Sequence, residues 1–192
     1  MPAEKPIKIM LSSTVYNYEH VVDAIYNQLV GYGYQVLCSH KGTVYPIPGK
    51  TTEESCLAAV EECDFFFGVI FPNYGSSGYT HKEFLKAIDL NKPRGFLSHA
   101  FVPFTRTLLK NFMYDKDKNR LDFELPKKTM VMDSLKVIDM YNDAIGDNNP
   151  NNHRLWAQQF YKYELDGSTF VHTQFGDYAR LANDLKKLKD GK

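Results

Sequence analysis

One carboxylate, Glu83, stands near the start of a predicted helix and directly after a loop of small polar residues. The preceding stretch, Asp64 to Phe71, is an apolar run typical of a strand buried on both faces of a parallel sheet. Pro72 to Gly78 is predicted as a loop, and Thr80 to Ile88 carries an apolar stripe at helical spacing. Ligands of open α/β sheets bind beyond the carboxyl end of a strand, where the chain continues into a helix. We therefore expect the functional site here.

A carboxylate in this place could act on a bound ligand, because it can attack an electrophilic centre or stabilise developing positive charge. We therefore predict that Glu83 is catalytic and that aromatic and small residues around it bind the substrate. The candidate pocket residues are Tyr16, Phe71, Tyr74 and Tyr79, together with Ser76, Ser77 and Gly78.

Three hydroxyl residues follow the first predicted strand, Ile7 to Leu11. Ser12, Ser13 and Thr14 suit a tight turn whose backbone N–H groups can meet an anion. Taken singly, each hydroxyl is better explained as a helix cap. As a group at the carboxyl edge of the sheet, they are predicted to form a wall of the pocket.

A structural role for Glu83 is an open alternative. Thr80-x-x-Glu83 has the spacing of a capping box, in which the glutamate bonds back to the N–H of the first residue. Thr51-x-x-Glu54 repeats this spacing at the previous helix, where no chemistry is expected. Spacing alone therefore does not separate a catalytic glutamate from a cap, and the two roles are compatible.

Two other sets of reactive side chains are not expected to do chemistry. The histidines have no metal-ligand spacing, so no metal site is expected. His40 and His99 are predicted to be structural, whereas His81, at the start of a helix, is predicted to be solvated and not an acid or base. The cysteines, Cys38, Cys56 and Cys63, are odd in number and lie within apolar segments, as reduced core residues do.

The first hundred residues alternate predicted strands and helices. This order indicates a parallel sheet with right-handed crossovers and helices on both faces. Neither a dinucleotide-binding G-x-G-x-x-G after the first strand nor a P-loop motif is present. Besides the elements above, the predicted elements are helices Tyr18–Val30 and Thr51–Cys63 and strands Tyr34–Ser39 and Arg94–His99.

The second half is predicted as a helical insertion, residues 101–167, placed before the fifth and last strand. The whole chain, 1–192, is expected to form one α/β domain. The predicted pieces are helix Phe101–Tyr114, a surface excursion Asp115–Lys128, a helix capped by Asp133 and running to Ile145, a break at Gly146–Asn152, helix Arg154–Glu164, strand Ser168–His172 and helix Phe175–Leu188.

Composition excludes several classes of function. The 192 residues are 43% hydrophobic and 24% charged, as in an ordinary globular protein. Lys and Arg together number 23, as do Asp and Glu, so there is no chain-wide basic field for nucleic acid or an anionic membrane. No apolar run approaches the roughly 20 residues that span a bilayer. The N-terminus lacks a signal-peptide pattern, so a cytoplasmic location is expected.

An ordered set of short segments resembles the TIR-like (STIR) group of flavodoxin-like domains. The similarity is greater to a TIR-related domain-of-unknown-function family whose first strand ends L-S-S-T, and it covers about residues 7 to 100. Nucleoside 2-deoxyribosyltransferases, which also place a glutamate at a helix start after a Gly-rich loop, are more distantly similar. The segments are Ile9–Thr14 (IMLSST), Gly33–Val36 (GYQV), Cys56–Ile70 (CLAAVEECDFFFGVI), Tyr74–Gly75 and Thr80–Glu83 (THKE).

The resemblance implies a flavodoxin-like, TIR-like sheet of five parallel strands and an enzyme that cleaves the nicotinamide–ribose bond of NAD. Glu83 matches the catalytic glutamate of such enzymes, although this chain reads Y-T-H-K-E instead of W-C-x-x-E. NAD would be a substrate, with no separate cofactor. The product would be a hydrolysed or cyclised nucleotide that signals in a bacterial anti-phage system, and activity would require a homo-oligomer or a partner protein. The alternatives are a non-catalytic assembly or nucleotide-binding module and a deoxyribosyltransferase that exchanges bases between nucleosides.

Overall fold

The parallel sheet predicted from the alternating pattern has five strands in the order β2-β1-β3-β4-β5. The computed structural model describes residues 5–146 and 155–191. All four strand pairings are parallel. The predicted α/β fold class, with helices on both faces of the sheet, is confirmed. The strands are β1 (Lys8–Ser13), β2 (Gln35–Leu37), β3 (Phe65–Ile70), β4 (Arg94–His99) and β5 (Ala157–Phe160).

Helices cover both faces of this sheet. A single π-helical turn, Tyr163–Gly167, leads from β5 into the last two helices. None of the helices in the two described ranges is long and apolar enough to cross a membrane. The helices are α1 (Glu19–Gly31), α2 (Thr52–Glu62), α3 (Tyr79–Asp89), α4 (Phe101–Met113), α5 (Lys136–Ile145), α6 (Ser168–Phe175) and α7 (Tyr178–Asp190).

The alternation of side chains along β1 decides which face each residue serves. Ile9 and Leu11 join the apolar cluster beneath α1, α6 and α7, whereas Met10 joins the cluster beneath α2, α3 and α5. Side chains two residues apart point to the same face of a strand. Ser12 therefore faces α2 and α3, on the same side as Met10.

The strand order reverses between β1 and β3. The chain passes from β1 to its neighbour β2 and then returns to place β3 on the other side of β1. At this reversal Ser12 pairs with Gly68 and Ser13 with Val69. Both hydroxyl residues thus belong to β1, two residues beyond its predicted end at Leu11, because the ladder with β3 continues through them.

The predicted assignments of helix and strand near residues 154–172 are wrong. Within the predicted helix Arg154–Glu164, residues Ala157–Phe160 form β5, with Ala157 and Phe160 buried and the two glutamines between them exposed. The predicted fifth strand, Ser168–His172, lies in α6. Pairing with the open edge of β4 outweighs local preference here, and a four-residue segment carries too little pattern to reveal it.

Two predicted helix boundaries also differ from the structure. Asp133 does not cap α5, which begins at Lys136 and has no side-chain cap. The final predicted helix, Phe175–Leu188, is divided at Gly176, and α7 is capped by Asp177, which accepts a hydrogen bond from the Arg180 N–H at 2.9 Å. The predicted break at Gly146–Asn152 begins with Gly146, whose left-handed backbone ends α5. The rest of that break lies outside the described residues.

Gly68 allows α3 to pack closely on the centre of the sheet. A Cβ atom at this position would lie 2.5 Å from the Phe84 ring and 2.7 Å from the Phe96 ring. Both rings are fully buried. The absence of a side chain at Gly68 therefore lets Phe84, which follows Glu83, sit directly on β3, and it sets the distance between α3 and β1.

Gly68→Ala should lower the free energy of unfolding by about 1–3 kcal/mol, because the new methyl group overpacks two buried rings. Gly95→Ala is the matched control, since its Cβ would lie 3.4 Å from the Phe65 ring, in ordinary contact. Urea unfolding of both variants measures the difference. Equal stabilities for the two variants would show that α3 has room to move.

Candidate active site

A cleft of about 590 Å³ opens at the reversal of strand order, at the carboxyl edge of the sheet. Its walls are the end of β1, the loop after β3, the start of α3 and the segment 128–133. The volume lies within the range of small-molecule sites. The structure brings together here most of the residues predicted from sequence: Ser13, Thr14, Tyr16, Tyr74, Tyr79, Ser76, Ser77 and Glu83.

Glu83 lies at the inner wall of the cleft and is only 5% exposed. Ser12 Oγ donates a hydrogen bond to Glu83 Oε2. The thiol of Cys56, from α2, forms a second side-chain hydrogen bond with the same carboxylate. One carboxylate on α3 thus joins the end of β1 to α2.

The capping-box interpretation of Thr80 and Glu83 is wrong. Gly78 occupies the N-cap position with a left-handed φ of 64° and no side-chain cap, so the helix begins at Tyr79. No acidic residue lies in the first turn of α3, and Glu83 follows that turn. Its side chain therefore reaches across to Ser12 instead of back to its own helix start.

Thr51 and Glu54 show what the same spacing does when it forms a true capping box. Thr51 N–H donates to Glu54 Oε2 at 2.7 Å, and Glu54 N–H donates to Thr51 Oγ1 at 3.2 Å. Here Thr51 is the N-cap residue, and Glu54 is exposed. The two glutamates differ because helix α3 starts before Thr80, whereas α2 starts after Thr51.

The environment of Glu83 shifts its ionisation equilibrium toward the neutral form, and its hydrogen bonds partly offset this shift. Burial raises the pKa of the Glu83 carboxyl, and the hydrogen bonds from Ser12 and Cys56 oppose this rise. Burial and the neighbouring carboxylate raise the pKa of the Cys56 thiol to about 12, so the thiol stays protonated and can donate. Among the residues that the structure describes, the ionised carboxylate is thus stabilised by two neutral donors and not by a cation.

Hydrogen bonds hold the loop after β3 against its surroundings. The carboxylate of Asp133 accepts from the Tyr74 N–H at 2.7 Å and from the Gly75 N–H at 3.1 Å. Thr14 Oγ1 donates to the Tyr74 carbonyl at 3.2 Å, and Asn73 Nδ2 donates to the Tyr16 carbonyl at 3.0 Å. The loop that forms one wall of the cleft is therefore connected to the chain that follows β1 and to the segment 128–133.

The side chain of Tyr74 is engaged by α3 and α5. Its hydroxyl lies 3.0 Å from His81 Nδ1, and His81 Nε2 lies 2.8 Å from Asp143 Oδ2. His81 thus belongs to a hydrogen-bonded chain that secures the loop, and its bonds do not involve Glu83. The solvated position predicted for His81 from its place at the helix start is wrong, because its side chain is only 15% exposed and both ring nitrogens have partners.

Two predicted substrate contacts are placed differently from the rest. Phe71 has no exposed surface and stacks on Tyr18 with ring centroids 4.2 Å apart, so it belongs to the core and does not line the cleft. Ser12 is 1% exposed and reaches the cleft only through Glu83. Phe71 was predicted as an aromatic ring available for stacking on a ligand, but it packs in the apolar cluster beneath α1.

The structure adds residues that sequence analysis missed. Cys56 was predicted to be an ordinary core thiol, and Asp133 to be a helix cap. Lys128, Thr129 and Met130, at the end of the predicted surface excursion and just after it, line the cleft. Nothing in their local sequence signals this, because a contact across 50 to 60 residues is made only by folding.

The remaining cysteines and histidines are structural where described. All three cysteines are free and buried, as predicted. His99 is 7% exposed, and burial lowers its pKa, while His40 lies 2.9 Å from Asp23. Within residues 5–146 and 155–191, no three His, Cys, Asp or Glu side chains are grouped so that they could hold a metal ion.

Residues 8–145 match the family described as Domain of unknown function (DUF4062). The chain belongs to this family. The TIR domains of the activated Roq1 resistosome, which directly recognises the pathogen effector XopQ, are similar in structure, with a TM-score of 0.52 and 17% identity over 89% of this chain and 98% of theirs. This likeness supports the TIR-like fold.

Two deoxyribosyltransferases also match. The 2-deoxyribosyltransferase of Bacillus psychrosaccharolyticus is 27% identical over 47% of this chain and 72% of its own, with a TM-score of 0.38. The enzyme of Leishmania mexicana is 15% identical over 87% and 98%, with a TM-score of 0.39. Both TM-scores are too low to support a conclusion. No curated protein matches the sequence.

Glu83→Gln should stabilise the protein at neutral pH and lose this advantage as pH falls toward the unfolded pKa of the glutamate. A carboxyl whose pKa is raised by folding contributes stability below its unfolded pKa, about 4.3, and that contribution is lost as pH rises through the folded pKa. Glutamine keeps the shape and avoids the loss. Thermal unfolding between pH 4 and pH 8 measures the change.

Glu54→Gln is the matched control and should behave in the opposite way. The bonds from Thr51 lower the pKa of Glu54, so its contribution is present at neutral pH and is lost on acidification. This variant should be less stable than wild type at pH 7. If Glu83→Gln were also destabilising at pH 7, Glu83 would be a structural hydrogen-bonding group.

Proposed function

We propose that this chain cleaves the nicotinamide–ribose bond of NAD or a related nucleotide, with Glu83 as the catalytic carboxylate. The observation that carries this proposal is the nearly buried carboxylate of Glu83 in a cleft at the reversal of strand order. Its ionised form is supported by the neutral donors Ser12 and Cys56. Perturbed carboxylates in clefts are typical of functional sites.

The proposed reaction needs little more than a negative charge below the sugar. The bond between C1 of the ribose and the nicotinamide nitrogen breaks, and its electron pair neutralises the positively charged ring. The Glu83 carboxylate stabilises the oxocarbenium character that remains on the sugar. Water then attacks C1 and releases a proton, or a hydroxyl or ring nitrogen of the same nucleotide closes a cyclic product.

The two neutral donors suit this role better than a lysine or arginine would. A cationic partner would neutralise the carboxylate and weaken its attraction for a developing positive charge. Ser12 and Cys56 orient the carboxylate while leaving its net charge available to the substrate. In a site with little water such a charge acts strongly. NAD is the substrate in this proposal, and no further cofactor or metal is needed because the base leaves unaided.

We further propose that the product is a signal in a bacterial anti-phage system and that the protein works in the cytoplasm as an oligomer or with a partner. The support is the resemblance to TIR-like immune domains. The Roq1 TIR domains belong to a resistosome that recognises a pathogen effector. A role of this kind would keep the enzyme inactive until assembly.

A non-catalytic assembly module is the second candidate. Helix α4 presents three large apolar side chains one turn apart, Phe104, Leu108 and Phe112, which are 64%, 63% and 59% exposed. An exposed apolar row of this kind is typical of an interaction surface. In this alternative Glu83 would only join β1 to α2 and α3.

Incubation of concentrated protein with NAD, followed by mass analysis of the products, tests the proposal. Wild type should release nicotinamide, and Glu83→Gln should lower the rate by roughly 10²-fold or more while remaining folded. Glu54→Gln makes the same substitution in another helix, away from the proposed catalytic position, and should retain activity. Equal turnover by wild type and Glu83→Gln would contradict the proposal.

NAD turnover by tethered protein and an assay for base exchange between deoxynucleosides separate the alternatives. Absence of NAD turnover by wild type, including when it is tethered into oligomers, would favour the assembly module. Base exchange between deoxynucleosides without NAD cleavage would favour a deoxyribosyltransferase.

Ser12→Ala should move the acid limb of the pH–rate profile to higher pH. Catalysis requires ionised Glu83, so the rate falls as pH drops through its raised pKa. Loss of the Ser12 hydrogen bond raises that pKa further, and the rate on the alkaline plateau should change less than the rate at low pH. Ser13→Ala is the control, since Ser13 lines the cleft without a bond to Glu83. A parallel drop at every pH would instead assign Ser12 to substrate binding.

A further inference from the structure

Residues 128–133, which we term the strap, pass along one side of the cleft. Internal hydrogen bonds between Thr129 and Met132 close the strap into a turn. Thr129 Oγ1 accepts from the Met132 N–H at 2.8 Å and donates to the Met132 carbonyl at 2.9 Å, and Thr129 N–H donates to the same carbonyl at 3.0 Å. These bonds give the strap a defined shape although it contains no helix or strand.

Asp133 attaches the strap to the loop after β3. Its two carboxylate oxygens accept from the backbone N–H groups of Tyr74 and Gly75. Consecutive backbone N–H groups of this kind are the usual cradle for a phosphate at the end of a strand. Here the protein's own carboxylate occupies that cradle, so an anionic ligand must find its counter-charge elsewhere in the cleft.

Lys128 supplies that counter-charge. It is the one lysine or arginine among the described residues that line the cleft. Among the described side chains it forms no ion pair or hydrogen bond, whereas the nearby Arg120 pairs with Glu124 and Asp139. A lysine that lines the cleft and pairs with no described side chain is placed to bind an anion.

Glu83 and Lys128 occupy different depths of the cleft. Glu83 is nearly buried, whereas Lys128 is exposed, and Tyr16 is 71% exposed at the mouth. Met130, also on the strap, is fully exposed and lines the same cleft. The inner carboxylate would meet the ribose, and the outer ammonium would meet a group with negative charge that is joined to it.

We propose that the strap forms a phosphate subsite in which Lys128 selects a phosphorylated nucleotide over the corresponding nucleoside. The assignment of the cleft to a nucleotide rests on the proposed function. The subsite itself requires only that a phosphate be bound there, whether or not a glycosidic bond is broken. It predicts that the substrate carries its phosphate toward the strap and its scissile bond toward α3.

Binding of ADP and adenosine to the full chain tests the subsite without relying on catalysis, since neither ligand contains a nicotinamide bond. Isothermal titration should show tighter binding of ADP than of adenosine by wild type. Lys128→Ala should weaken ADP binding roughly tenfold, the loss expected for one charge-assisted hydrogen bond, and leave adenosine binding unchanged.

Lys127→Ala is the matched control. Lys127 is the exposed neighbour of Lys128, carries the same charge and does not line the cleft. This variant should bind ADP nearly as wild type does. An equal loss in both variants would indicate a diffuse electrostatic field and overturn the subsite, as would an equal loss of ADP and adenosine binding or the absence of ADP binding by wild type.

Failure of the subsite and failure of the proposed function give different results. Lys128-dependent ADP binding without NAD turnover would support the phosphate subsite and count against the glycohydrolase. NAD turnover that depends on Glu83 but not on Lys128, with ADP and adenosine bound equally, would support the glycohydrolase and overturn the subsite.

Discussion

The hydrogen bond between Ser12 and Glu83 joins the central sheet to the candidate catalytic carboxylate. It requires that β1 continue to Ser13, that the pleat turn Ser12 toward α3, and that α3 lie close enough to the sheet for a glutamate to reach it. Gly68 provides the last condition, because a side chain there would collide with Phe84. The geometry of the candidate site is therefore a consequence of packing at the centre of the sheet.

Burying Glu83 has a thermodynamic cost, and its partners reduce that cost without removing it. Ser12 and Cys56 are neutral donors, so the pKa of the carboxyl stays raised. A protein optimised only for stability would place an apolar residue or an ion pair at this position. Unfavourable burial of a charge beside a cleft is typical of a functional site.

Asp133 plays a second organising role at the same edge. By bonding the amides of Tyr74 and Gly75 it orders the loop after β3 and brings the strap across the cleft. The site is thus assembled from both halves of the chain. The first half contributes Glu83 and the sheet, and the second contributes the wall that carries Lys128.

The amino-acid sequence was enough to predict the alternation of the first four strands and three helices, the cleft and the place of Glu83 within it. Long apolar runs and loop residues carry enough local signal for these.

The role of Glu83, the strand β5 and the position of Asp133 depend on tertiary contacts. Thr51-x-x-Glu54 and Thr80-x-x-Glu83 are indistinguishable as spacings, yet only the first is a capping box, because the left-handed Gly78 starts α3 two residues earlier than the spacing implies. The short β5 exists because β4 offers it an unpaired edge, and the position of Asp133 depends on backbone amides almost 60 residues away. Such interactions are made only when distant segments meet, so no local pattern reports them.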